Sequence, residues 1–209
     1  MRSRPPYSHN LWGGRVYRRS DVESLLEAAH RARLAVHLDG ARLWNAAVAA
    51  GESERQLARG FDSVTVTFSK GLGAPVGSAV VGSEPFVKEA RRIRKLFGGG
   101  MRQVGVLAAA AIVSLENRSR LAEDHARARR LAGAIAGLPG VRFDPASVET
   151  NIVIFDVSEA PTFIARLKEE GVLAAGVSPT AVRLVTHLDV GDAEIDRAID
   201  ALGRAAKTS

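Results

Sequence analysis

Thr67-Phe68-Ser69-Lys70-Gly71-Leu72-Gly73-Ala74-Pro75-Val76-Gly77-Ser78 puts one lysine in a loop of small residues, directly after an apolar strand. The chain has five lysines against 24 arginines, so its basic surface is built from arginine. A lysine at this position points to work that a guanidinium cannot do. Desolvated lysine can lose its proton and form a Schiff base with an aldehyde, whereas arginine stays charged. Glycines at 71, 73 and 77 let backbone approach a bulky ligand without Cβ clashes. Taken alone, the segment fits equally well a strand-to-strand turn whose lysine stem covers apolar surface.

Upstream, Ala35-Val36-His37-Leu38-Asp39-Gly40-Ala41-Arg42 reads as a buried strand over 35–38 that ends at an acid and leads into a helix. An aspartate at the C-terminal end of an α/β strand stands where ligands bind, or it caps the helix. Asp39 and Lys70, each at a strand end, together form the pair that a pyridoxal phosphate enzyme needs. The carboxylate keeps the ring nitrogen protonated so the ring can take up electrons, and the lysine holds the aldehyde.

With these residues the chain resembles the low-specificity L-threonine aldolases, in the β-eliminating lyase branch of fold-type I pyridoxal phosphate enzymes. The matching pieces are Ser8-His9-Asn10 with Gly13-Gly14-Arg15-Val16, then His37 to Arg42, then Ser69 to Ser78. Gly98-Gly99-Gly100-Met101-Arg102-Gln103 and Arg183-Leu184-Val185-Thr186-His187 follow in the same order. The resemblance implies Lys70 as the Schiff-base lysine, Asp39 as partner of the ring nitrogen, and Arg42 at the border of the ring. It also implies Arg183 as the binder of the substrate carboxylate. His9 matches the motif and is a cofactor-binding candidate. The loop at 98–100, with Lys95 and Arg102, is implied to reach the site of a neighbouring subunit, which makes a homo-oligomer the expected assembly. Family members begin with a long segment that supplies a phosphate-gripping loop and a ring-stacking histidine. The chain therefore resembles the C-terminal part of such an aldolase.

Two of these pieces also speak for themselves. Arg183 lies between Val182, Leu184 and Val185, and a buried guanidinium needs a planar anion such as a carboxylate. Otherwise it is an edge-strand arginine in solvent. The glycine triplet at 98–100 precedes a helix start, a place that attracts anions, or it is a flexible linker. His37 reads as a satisfied core histidine, and His187 as a residue that orients a strand end. No His/Asp cluster has the spacing of a metal site.

The remaining pattern is that of an α/β fold. Ser20-Asp21-Val22-Glu23 predicts a capping box opening a helix to Arg31. A helix from Arg42 stops at Gly51. Strands are expected at 64–68 and 78–81, and a basic helix from Ser83 to the glycine triplet. Strand-helix alternation means a mostly parallel sheet, the remaining part of a cofactor-binding large domain over 1–116. From 117 to 209 an α+β small domain is expected. Its strands are predicted near 141–143, 152–157, 172–176 and 181–185, with helices at 161–170 and 192–205. The helical run from Arg102 should break at Asn117-Arg118-Ser119.

The 46% hydrophobic content suffices for one substantial core and a smaller one. No cysteine is present, which excludes disulfides and thiolate metal sites and suits a reducing cytoplasm. No apolar run approaches a membrane span. The net charge of +6 raises the question of nucleic acid, but the arginines alternate with acids along helices and no recognition module appears. Two readings follow. One is a pyridoxal phosphate lyase that cleaves β-hydroxy-α-amino acids, L-threonine or L-allo-threonine giving glycine and acetaldehyde. The other is an inactive fragment, or a non-enzymatic module that pairs with an aldolase subunit.

Overall fold

In the computed structural model the described residues are 7–207. They begin with a two-stranded ribbon, β1 (Ser8–His9) and β2 (Arg15–Val16), joined through a 3-10 turn at Asn10–Trp12. The first helix, α1 (Arg19–Arg31), buries Leu26 and Ala29. Its N-cap is Arg18, with no side-chain cap, so the capping box expected at Ser20 does not form. Arg19 pairs with Glu23 and with Glu52, and the helix starts two residues upstream of the expected cap.

A three-stranded sheet follows. Its edge strand β3 (His37–Gly40) lies two residues later than expected, so Asp39 sits within the strand. Next come α2 (Leu43–Ala50), ended by Gly51 at φ 65°, and a short α3 (Glu54–Leu57). A true capping box stands at α3, where Ser53 and Gln56 bond reciprocally. The central strand β4 (Ser63–Thr67) runs parallel to β3, and β5 (Ser78–Gly82) returns antiparallel to β4. The β4–β5 connection is shorter than the roughly dozen residues that a parallel crossover needs, so the sheet is mixed. Gly40 is required at the β3–β4 contact, because a Cβ there would lie 2.4 Å from the Thr65 carbonyl oxygen. Leu38, Leu43, Ala46, Val64 and Val66 form the core on one face of this sheet.

Beyond the sheet, α4 (Glu84–Leu96) contains no buried residue, and α5 (Gly105–Glu116) buries only Ala111. Gly98 at φ 75° turns the chain between them. The break expected near Asn117 is a 3-10 turn at Arg118–Arg120.

The chain divides into two compact units between Ser119 and Arg120, with residues 9–15 grouped with the second. The second unit contains α6 (Leu121–Ile135), β6 (Ile152–Asp156), α7 (Ala160–Glu169), β7 (Ala175–Gly176), β8 (Ala181–Val185) and α8 (Asp192–Lys207). Its sheet has the order β6-β8-β7 and is antiparallel throughout. Phe155 and Phe163 meet edge-on, 5.8 Å apart, in a core shared with Leu131, Ile135, Ile195 and Leu202. Residues 141–143 do not make a strand. Arg142 forms a single bridge to Asp156, since Pro139-Gly140 before it and Asp144, which caps the Pro145–Ser147 turn, leave no room to extend the pairing. Among the described residues no helix is long and apolar enough to cross a membrane.

Candidate active site

Alternation along β3 puts Leu38 in the core and His37 and Asp39 on the opposite face. The parallel register sets His37 beside Ser63 and Asp39 beside Thr65. Asp39 is exposed, and its Oδ1 accepts the Ala41 N–H at 3.0 Å, which fixes the turn from strand to helix. Arg42 is half-buried as the N-cap of α2, and its carbonyl accepts the Ala46 N–H.

The Lys70 loop is held by its own backbone. Phe68 N–H donates to Gly77 O and Ala74 N–H to Phe68 O, each at 3.0 Å, and Gly73 N–H donates to Lys70 O at 2.9 Å. Gly73 and Gly77 have φ of 77° and 119°, backbone that only glycine adopts without strain. Leu72 and Ala74 are buried and anchor the loop. From α2, the Trp44 indole N–H donates to Thr67 O at 3.0 Å, and its ring stacks on Phe68 with centroids 6.5 Å apart.

Lys70, Asp39 and Arg42 are thereby brought within electrostatic reach of one another. Desolvation lowers the proton affinity of the Lys70 amine below the ordinary lysine value, although its side chain still reaches solvent. The Arg42 guanidinium adds to that shift, and the Asp39 carboxylate opposes it. The result is an amine biased toward its nucleophilic form at a strand end, next to one carboxylate.

In the second unit, Arg183 lies on the central strand β8, in register with Ile154 of β6 and Ala175 of β7. It is half-buried, and its Nε is buried with no hydrogen-bond partner. A buried guanidinium N–H left unmade is costly, and a carboxylate is the group whose geometry satisfies it. The end of β8 is clamped. Thr186 Oγ1 donates to Asp124 O at 2.6 Å, and Asn151 Nδ2 donates to Thr186 O at 2.9 Å. Asp124 itself is wholly buried and paired with Arg120, and burial pushes its carboxyl up from the usual range.

Lys95 and Arg102, expected at a subunit boundary, are both exposed near the Gly98 turn, and neither is among the charges acting on Lys70. His9 lies in β1, and its side chain falls outside the described residues. His187 pairs with Asp189 at 3.1 Å. His37 is bonded at both ring nitrogens, to Ser63 and to Thr65. Sequence reasoning missed Trp44, Ser63, Thr65, Asn151 and Asp124. Ser63 and Thr65 left a signal, since hydroxyls alternating with valine mark a polar row on one strand face. Among the described residues no group of three or more His, Cys, Asp or Glu is placed to hold a metal ion.

Comparison with known proteins adds to this geometry. The family profile described as beta-eliminating lyase matches residues 7–159. The chain is 43% identical over 186 residues to the low specificity L-threonine aldolase of Escherichia coli strain K12, covering 87% of this chain and 54% of that protein. It is 39% identical over 207 residues to low-specificity L-threonine aldolase 1 of Arabidopsis thaliana, covering 96% of this chain and 58% of that one. The chain thus spans little more than half the length of these curated relatives. Among solved structures, a protein of Listeria monocytogenes EGD-E assigned as an L-allo-threonine aldolase superposes with a TM-score of 0.82 at 22% identity, covering 97% of this chain and 60% of that one. Sphingomonas wittichii serine palmitoyltransferase gives 0.75 at 13% identity, covering 99% and 55%. These two likenesses establish a shared fold.

Proposed function

Because this chain belongs to the beta-eliminating lyase family, we propose that it carries the lysine- and arginine-bearing part of a pyridoxal phosphate-dependent aldolase. The substrate class is the β-hydroxy-α-amino acids, with L-threonine or L-allo-threonine giving glycine and acetaldehyde. The observation that carries the reading is the Lys70 amine, its proton affinity lowered by desolvation and Arg42, with Asp39 as its nearby carboxylate.

Pyridoxal phosphate, when bound, supplies a ring that accepts the electron pair of the bond cleaved at the amino acid's Cα. The residues present fit that group. Lys70 offers a primary amine whose proton affinity is lowered by desolvation, and Asp39 offers a carboxylate to hold a proton at the ring nitrogen. Arg42 borders this pair, and His9 completes the set of cofactor residues. Arg183 receives the substrate carboxylate on its buried Nε. Residues 1–116 make up the cofactor-binding part and 117–209 the smaller domain. The assembly is a homo-oligomer of a cytoplasmic enzyme, with Lys95 and Arg102 reaching across the subunit boundary.

The test is to add pyridoxal phosphate, reduce with borohydride, and map the modified peptide by mass. The reading expects the cofactor fixed on Lys70, and none fixed in Lys70→Ala. Modification elsewhere, or threonine cleavage undiminished in Lys70→Ala, overturns it. A second reading, an inactive chain that pairs with an aldolase subunit, is favoured by the unburied helices α4 and α5. It expects association without cofactor fixation.

A further inference from the structure

The strand that leads into the Lys70 loop is held from outside its own sheet. Successive backbone groups along a strand point to opposite edges. Phe68 N–H faces the β5 edge, where it donates to Gly77 O at 3.0 Å, so the Thr67 carbonyl faces the β3 edge. The β3–β4 register stops at Gly40 beside Val66, because the chain there turns off into α2. The Thr67 carbonyl therefore lies one residue past that ladder, where a half-buried carbonyl without a donor is costly. The indole of Trp44, in the first turn of α2, takes the place of a strand. Its Nε1–H donates to Thr67 O at 3.0 Å.

Phe68 closes the loop. Its N–H donates to Gly77 O and its carbonyl accepts from Ala74 N–H. Its ring lies against the Trp44 indole, inclined at 29°, and a Cβ added at Gly77 would stand 3.6 Å from it. Trp44 thus grips the base of the loop twice, by a hydrogen bond at Thr67 and by ring packing at Phe68. The same helical turn opens at Arg42, whose carbonyl accepts the Ala46 N–H at 3.0 Å, and it follows the turn that Asp39 fixes through Ala41 N–H. Arg42 and Asp39 are the charges that act on the Lys70 amine.

We propose that Trp44 is a positioning residue for Lys70, its indole N–H joining the turn that carries Asp39 and Arg42 to the loop that carries the amine. Its bearing on catalysis rests on the cofactor reading above. The joint itself does not depend on that reading. With the indole bond made, the amine keeps one placement relative to the guanidinium, the carboxylate and the loop that shields it from water. Without it, the loop is free to swing toward solvent on its own glycines.

Competitive trace labelling of the cofactor-free chain with acetic anhydride, read by peptide mass, gives a titration midpoint for each of the five lysines. Trp44→Phe keeps a ring against Phe68 and removes the donor. It should move the Lys70 midpoint up, toward the ordinary lysine value, because the released loop gains water and leaves Arg42. The remaining lysines should not move. Trp44→His places an N–H at the same ring position as the indole donor and should keep the wild-type Lys70 midpoint. In an Arg42→Gln background the Trp44→Phe shift should shrink, since part of it passes through Arg42. A merely structural tryptophan would lower the urea midpoint of the variants and leave the Lys70 titration where it stands. That result, an equal shift in both backgrounds, or a folded Trp44→His whose Lys70 midpoint has moved up, overturns the proposal. The histidine variant decides alone where Trp44→Phe fails to fold. A wild type with the expected titration on which borohydride fixes no pyridoxal phosphate at Lys70 instead sinks the cofactor reading and leaves the joint intact.

Discussion

Two residues in the second unit show how burial becomes a measurable property. Arg183 has an unsatisfied buried Nε on a central strand, which suits a fork that closes on a carboxylate. Arg183→Lys keeps the charge and loses the planar fork. The expected outcome in a cofactor-competent enzyme is a KM for the amino acid raised roughly ten- to hundredfold, the size of a charged hydrogen bond, with cofactor affinity nearly unchanged. Steady-state kinetics and a cofactor titration measure the two separately, and equal losses in both would mean a folding role. His125 is buried on α6, and desolvation lowers its pKa from 6.5 to about 4, assisted by Arg129. Between those values the unfolded chain binds a proton that the folded chain refuses. Stability is therefore full above pH 6.5 and falls as the pH drops toward 4, by about 3 kcal/mol in all. Burial raises the proton affinity of Asp124, which acts in the opposite sense and costs stability as the pH rises above its ordinary value. His125→Phe should remove the loss between pH 6.5 and 4, as read from urea midpoints across that range.

At the scale of elements, the loop that carries Lys70 is only as fixed as the groups that hold it. Trp44→Phe keeps an aromatic ring against Phe68 and removes the indole bond to Thr67 O. The expected cost is about 1 kcal/mol, measurable as a lower urea midpoint, together with slower trapping of cofactor at Lys70. A trapping rate equal to wild type would show that the loop holds without α2. Elements with a long apolar period or an obligatory glycine were legible in the sequence. The stop of α2 at Gly51 and the strands on either side of Lys70 both belong to that group. Ser20 misled because a local capping pattern was outweighed by Arg19 pairing with Glu23 and Glu52, and Glu52 is distant in sequence. The box at Ser53 was missed because α3 has too few residues to show a period. The reach of the His37 ring across to Ser63 and Thr65 depends on strand register, which one strand read alone does not contain. Register also decides that Arg183 lies on a central strand and not an edge.

For the whole molecule, the largest departure from an ordinary protein surface lies on α4 and α5. Phe97 is 82% and Val106 78% exposed, with Leu96, Met101, Ile112 and Val113 also open. So many large apolar side chains open in one stretch of sequence call for a covering partner. A second copy of the chain is the occupant that the proposed homo-oligomer supplies. Light scattering should report a dimer or larger species at micromolar concentration. Phe97→Lys combined with Val106→Lys should shift the population toward monomer without lowering the melting temperature of the second unit. A wild type that stays monomeric with a cooperative melt would refute the interface.

The same bare helix has a consequence for proteolysis. Lys88, Arg91, Arg92, Arg94 and Lys95 crowd onto α4, which has no residue anchored in a core and is held near its start by Phe86 against Gly82. A protease must pull several residues out straight before it can cut, and this stretch resists that least. Brief trypsin treatment should nick α4 first. The chain would then separate into one piece bearing Asp39 and Lys70 and another bearing Arg183, each large enough to identify by mass. An earlier cut within α6, whose apolar side is buried along its length, would contradict this order.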